Sequence, residues 1–346
     1  MAGIFLLVMS VSGSILVFHH EIDHAFFTDR FIMEEPAQGL SFDNSFENVR
    51  TAHPGWEIRV PALPEPGESL RYELRKNNVR KWVFVHPQHG DILGTVDRAD
   101  RRLVDLLLTV HYSFFAGTPG KLFVAVLGVV FLVLLITGMI IYRKSLVKLL
   151  LFRQHFSVKS KRALFSSLHR WVGVWGLMLN IFICITGIRM AYVVASGAMK
   201  AVPLEISVPA MTQSIDAMIA SARTRHPDFE VTYLRFPANE SGKLSLLGRH
   251  VSDPDYYGSF YSSITVDWNS GQAEAITLLK DKPWLDRFLI ILQPLHLVDF
   301  GGMVVKVIYS IAGLLPGLLA ISGFVIWRYR KRVPQKRAPK KLTPTI

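Results

Sequence analysis

The chain has 346 residues, 50% of them hydrophobic and only 19% charged, with a mean hydropathy of +0.29, which is too apolar for a disordered chain and unusual for a soluble enzyme. The net charge of +12 does not mark a nucleic-acid partner, because it is concentrated. Eight Lys/Arg and no acid fall between 143 and 170, eight more without an acid run from 328 to the end, and the rest carries 23 basic against 27 acidic residues.

Four apolar stretches follow in chain order, at 2–18, 122–141, 172–194 and 303–327. At ~1.5 Å rise per residue the last three reach the roughly 20 residues that a bilayer requires. The first has 17. It lacks the basic flank and the small-residue cleavage site of a signal peptide, and reads as a transmembrane helix whose cytoplasmic end is missing. Both basic segments directly follow apolar spans, so the positive-inside rule places them, and both termini, in the cytoplasm. The expected fold is an α-helical integral membrane protein with four transmembrane helices and two small α+β domains on the opposite, periplasmic face of a bacterial inner membrane. Its segments are helix 1–18, soluble domain 19–110, helix 111–142, basic connection 143–170, helix 171–194, soluble domain 195–295, helix 296–327 and basic tail 328–346.

Within each soluble part a helical stretch, such as 214–225, stops at a His-Pro step, since proline disfavours the helical conformation in the residue before it. Alternating segments at 57–60, 70–74, 81–85 and 256–267 read as strands, and a turn at Gly90 or Gly271 closes the last pair. In the third span the lone cysteine, Cys184, excludes an intramolecular disulfide or a Cys-based metal site within one chain; it is expected to be buried and inert.

The chain repeats itself. A shift of 185 residues lays His111 on His296, Phe115 on Phe300, Gly117 on Gly302, Lys121 on Lys306, Gly128 on Gly313, Gly138 on Gly323 and Arg143 on Arg328. A shift of 174 lays Ser12-Gly13 on Thr186-Gly187. Hydrophobicity alone does not force these glycines, lysines and histidines, so the repeated unit is helix, soluble domain, helix.

Together with Leu168-His169-Arg170-Trp171-Val172-Gly173, these motifs resemble the PepSY-associated transmembrane proteins over nearly the whole chain. The resemblance implies paired membrane helices flanking periplasmic PepSY domains. For activity it implies iron-regulated proteins and haem-binding siderophore reductases, beside members with no assigned role. Such chains open with a Leu-His-Arg-Trp-like motif whose histidine would fall before residue 1 here, and this is read as a truncated start.

Ionisable groups at the edge of a span usually mark a function. His111 and His296 precede the second and fourth spans, and His19 and His20 follow the first, all toward one membrane face. Two facing imidazoles are what one or two haem b groups need, and no Cys-x-x-Cys-His attachment motif is present. His169 would serve a haem at the cytoplasmic side. Interfacial histidines also bond headgroups or cap helices, and that alternative stays open. Arg189, inside the third span, either snorkels or pairs with a haem propionate. Gly128, Gly138, Gly313 and Gly323 permit close helix approach or make room for a flat macrocycle. Lys121 and Lys306 anchor helix ends.

No Walker loop, His-Glu-x-x-His, Gly-x-Ser-x-Gly or Gly-x-Gly-x-x-Gly appears, so any electrons must come from an unknown donor or a quinone pool. Two functions remain: a membrane haem protein passing electrons to a ferric siderophore or similar chelate, or a non-catalytic scaffold whose PepSY-like domains bind a periplasmic protein or peptide. Beyond these, the expected partners are membrane lipid and no nucleic acid.

Overall fold

A computed structural model describes residues 2–33, 37–76, 79–97, 100, 102–200 and 205–329. Most of the basic tail expected at 328–346 lies outside the described residues. The first half runs α1 (Ala2–Leu16), α2 (His19–Phe26), α3 (Thr28–Phe31), α4 (Phe42–Ala52), β1 (Glu57–Val60), β2 (Leu70–Lys76), β3 (Val79–Val85), β4 (Ile92–Val96), α5 (Arg102–Ser113) and α6 (Gly117–Leu150). The second runs α7 (Lys161–Trp175), α8 (Leu177–Lys200), α9 (Ile215–Arg225), β5 (Phe229–Arg235), β6 (Lys243–His250), β7 (Ser262–Asp267), β8 (Ala273–Thr277), α10 (Trp284–Leu297) and α11 (Gly302–Arg328).

The soluble parts do not stand as two separate bodies. Their strands form one antiparallel sheet in the order β4-β3-β2-β1-β5-β6-β7-β8. The joint is short, with only Arg59 opposite Arg235 and Val60 opposite Leu234. Side chains reinforce it. Ser41 and Ser214 cap α4 and α9, and each helix start is also held by the other's aspartate: Asp216 accepts from Ser41 Oγ (2.8 Å) and Phe42 N–H (2.9 Å), while Asp43 accepts from Ser214 Oγ (2.6 Å) and Ile215 N–H (2.6 Å). A carboxylate at a helix N-terminus is doubly favourable, as an acceptor for orphan N–H groups and as a charge on the positive end of the dipole.

Both helices end where expected, at His53 and His226 before proline. They cover one sheet face over a common core containing Phe46, Ile58, Tyr72, Leu234, Phe236, Leu246 and Trp268, all at 2% exposure or less. Tyr72 meets Ser45 Oγ at 2.8 Å and Trp268 donates to the carbonyl of Ala210 at 3.0 Å, so the buried polar tips are satisfied. Gly90 and Gly271 make the expected turns with φ of +78° and +69°; at Gly90 a side chain would also collide with the carbonyl of Asn44.

Among the described residues, three helices are long and apolar enough to cross a membrane: α6, α11 and α8, the last over Leu177–Met199. A fourth arises if α1 and α2, bent by 61°, form one span. Helix α1 packs on α11, α6 on α8, and α7 on α11. Outward-facing Val126, Val133, Ile140, Ile308 and Ile311 are each more than half exposed, the pattern of a surface solvated by lipid. The third expected span, 172–194, is not continuous helix, because α7 stops at Trp175 and α8 starts at Leu177.

Inside α11, Pro316 lacks an N–H and loosens the helical ladder. Ser10 of α1 fills the break, accepting from Gly317 N–H at 3.0 Å and donating to the carbonyl of Gly313. Two of the four repeated glycines serve close approach, Gly128 against Ile188 and Gly313 against Ser14; at Gly323 a Cβ would touch His169 in ordinary contact. Gly138 does not: no atom lies within 4 Å of where its Cβ would stand.

Candidate functional site

Short helices α5 and α10 carry His111 and His296 in their last turns and lean on α1 and α8 respectively. Each ends in a reversal that places bulky residues in left-handed backbone, with φ of +45° at Phe114, +63° at Phe115 and +61° at Val298. Such conformations cost about 1–2 kcal/mol per non-glycine residue, and here they hold the histidine turn against the start of the next helix.

The two imidazoles have matching surroundings. His111 Nδ1 lies 3.1 Å from Ser12 Oγ and 3.1 Å from the carbonyl of Met9. His296 Nδ1 lies 3.0 Å from Thr186 Oγ1. Gly13 and Gly187, the residues after those hydroxyls, leave room for the rings: an added Cβ would stand 2.7 Å from His111 Cε1 and 3.3 Å from His296 Cε1. Among the described residues, no group hydrogen-bonds either Nε2.

His169, on α7, follows the same pattern with Nδ1 2.9 Å from Ser322 Oγ, just before Gly323. No second histidine among the described residues joins it; His155 is exposed on the connection after α6. His19 and His20 pack on each other with ring centroids 4.3 Å apart, and His19 Nδ1 meets the carbonyl of Leu16 at 3.0 Å. Their neighbours are Glu21 and Lys306, an ion pair tying α2 to α11 at 2.5 Å. Arg189 lies over the ring of Tyr192, 6.0 Å from its centroid, and has no ion-pair partner among the described residues. Lys121 lies over Tyr112. Cys184 is buried, with Sγ 3.2 Å from the carbonyl of Gly128.

His111 and His296 were legible as a repeated register, and Ser12-Gly13 with Thr186-Gly187 as a repeated step; that the hydroxyls of the second pair seat the rings of the first was not. The signal was a Ser/Thr-Gly step at 12–13, 186–187 and 322–323, visible once each histidine has a docking helix. Among the described residues, no three His, Cys, Asp or Glu side chains converge on a point where a bare metal ion would sit. At His111, His296 and His169 the nitrogens without a hydrogen-bond partner among the described residues are the Nε2 atoms.

Apolar helices of bilayer length, a soluble antiparallel sheet and histidines at the helix ends define a membrane protein of mixed architecture. The chain belongs to the family of the PepSY-associated TM region, whose profile matches residues 1–330. It is also similar to an uncharacterised protein of Pseudomonas aeruginosa, with 24% identity over 263 residues covering 66% of this chain. The chain spans 64% of that relative's length.

Proposed function

We propose that this protein is a haem-binding redox protein of a bacterial inner membrane that delivers electrons to ferric iron held in a periplasmic siderophore or similar chelate. The observation that carries the reading is the matched seating of His111 and His296, at corresponding positions of the repeat, with each Nδ1 on a helix hydroxyl and no hydrogen bond to either Nε2 among the described residues. That donor set suits a b-type haem: two neutral nitrogens and no thiolate. Four membrane helices would derive from the duplication, with the basic segments cytoplasmic and the sheet periplasmic.

A haem bound there supplies one-electron chemistry at a potential set by its ligands and burial. The chain's own part is to hold two imidazoles at fixed register, through hydroxyls and glycines on α1 and α8, in a setting from which lipid-facing apolar side chains exclude water. His169 is the candidate ligand for a second haem nearer the opposite membrane face, and Arg189 the candidate partner for a propionate. Reduction frees iron because hard oxygen ligands hold Fe(II) more weakly than Fe(III).

The test uses the full chain purified from haem-replete cells. Dithionite is expected to sharpen the α and β bands of a low-spin haem. Anaerobic addition of ferric citrate then restores the oxidised spectrum as Fe(II) appears in a ferrozine assay. Stable reduced haem in the presence of the chelate rejects the reductase role. Protein without haem rejects the redox reading and leaves the scaffold.

A further inference from the structure

The three membrane histidines rest on the same local device. Ser12, Thr186 and Ser322 each present a hydroxyl to an imidazole Nδ1, and each hydroxyl also lies against a carbonyl four residues back on its own helix. The distances are 2.8 Å from Ser12 Oγ to Val8 O, 3.0 Å from Thr186 Oγ1 to Phe182 O, and 2.6 Å from Ser322 Oγ to Leu318 O. A hydroxyl has one proton, and a carbonyl only accepts. With that proton directed to the carbonyl, the oxygen turns a lone pair to the imidazole, so Nδ1 must carry the hydrogen. At His111 the carbonyl of Met9 makes the same demand from a second direction. A neutral imidazole protonated on Nδ1 has its free lone pair on Nε2.

We propose that Ser12, Thr186 and Ser322 are positioning residues that lock His111, His296 and His169 in the Nδ1–H tautomer and aim Nε2 outward as an iron ligand. The following glycine completes the seats of His111 and His296 by letting the ring lie against the helix backbone, whereas at Gly323 a Cβ would meet His169 only in ordinary contact. An added Cβ would stand 2.7, 3.3 and 3.6 Å from Cε1 at Gly13, Gly187 and Gly323. The purpose of the seats rests on the haem reading; their protonation state does not.

The molecule supplies its own controls. Thr137-Gly138 corresponds to Ser322-Gly323 in the repeat, and Thr137 Oγ1 makes the same backward bond, 2.9 Å to Val133 O, yet no imidazole among the described residues rests on it. In the sheet, His86 Nδ1 accepts from the backbone N–H of His89 at 3.2 Å, and His250 Nδ1 from that of Ser252 at 3.2 Å. A backbone N–H only donates, so neutral His86 and His250 are the opposite, Nε2–H tautomer.

The experiment is 15N NMR of the full chain labelled at histidine, reconstituted in bilayers without haem at pH 8. Thr186→Val and Ser322→Ala are each expected to remove one Nδ1–H signal and Ser12→Ala to shift the His111 signal without removing it, because the carbonyl of Met9 still accepts there, whereas Ser12→Thr, Thr186→Ser and Thr137→Ala change none. In haem-loaded protein, Ser12→Ala and Thr186→Val are expected to weaken haem retention by roughly 10–100-fold and to raise the midpoint potential, because the imidazole loses an acceptor that strengthens its donation; Ser12→Thr and Thr186→Ser restore both. Nε2–H tautomers at these three histidines in the parent protein overturn the seats even if haem is bound. Nδ1–H seats in protein that never takes up haem leave the seats intact and overturn the haem reading instead.

Discussion

The histidines of the soluble part and those on the helices packed against the apolar spans are held differently. His86 and His250 are acceptors at Nδ1, each using backbone N–H groups of its own turn, as local structure requires. His111, His296 and His169 reach across to another helix, satisfy one nitrogen on a hydroxyl and leave the other without a partner among the described residues. These three reach between helices, whereas His86 and His250 build local turns.

The largest effect that would sharpen this contrast is loss of haem retention. His111→Ala or His296→Ala is expected to abolish the low-spin haem component ligated by this pair, measured by the reduced-minus-oxidised spectrum, while His86→Ala leaves it unchanged. Next comes the seat itself. Gly13→Ala places a Cβ against His111 and is expected to lower haem occupancy severalfold, whereas Gly138→Ala meets open space and leaves occupancy at the parent level. Haem quantitation on the two purified variants reads both.

A smaller effect belongs to the sheet. Asp43→Ala and Asp216→Ala each remove the acceptor that joins the two units, and each is expected to lower the sheet's stability by about 1–2 kcal/mol, read by thermal unfolding followed at the buried tryptophan. Equal losses at the two positions would confirm that the clasp is reciprocal; no loss at either would remove it from the account.

The smallest effect is a pH dependence. Burial opposes ionisation of Glu73, but the guanidiniums of Arg75, Arg80 and Arg59 outweigh it and hold the carboxyl below its usual 4.5. With the folded value depressed, this group's stabilising contribution is fully present above pH 4.5 and is lost as pH falls through the folded value. Glu73→Gln is therefore expected to flatten the acid limb of the stability curve and to leave haem spectra at neutral pH unchanged.

Much of this arrangement was legible in the sequence, for identifiable reasons. Hydropathy located α6, α8 and α11 because bilayer-length apolar runs are unmistakable, and the 185-residue shift singled out His111 and His296 because polar residues at repeated register are rare in such runs. Proline ended α4 and α9 where it had to. What the sequence did not disclose was long-range: the fusion of both soluble parts through two residue pairs of β1 and β5, the bend after α1, and the break at Gly176. Local pattern has no access to such joints. The role of the Ser/Thr-Gly steps was hidden for the same reason: two of them stood out as a repeat, but nothing local says that a ring from a hundred residues away rests on them.

The most direct test of the central claim is haem stoichiometry and spectrum of the His111→Ala/His296→Ala double variant beside the parent, both purified at full length and both showing the same thermal transition of the sheet. The account predicts low-spin haem in the parent and loss of the component ligated by this pair in the double variant, with any remaining signal removed by His169→Ala. An unchanged haem spectrum in the double variant, or a parent protein without haem, would contradict it.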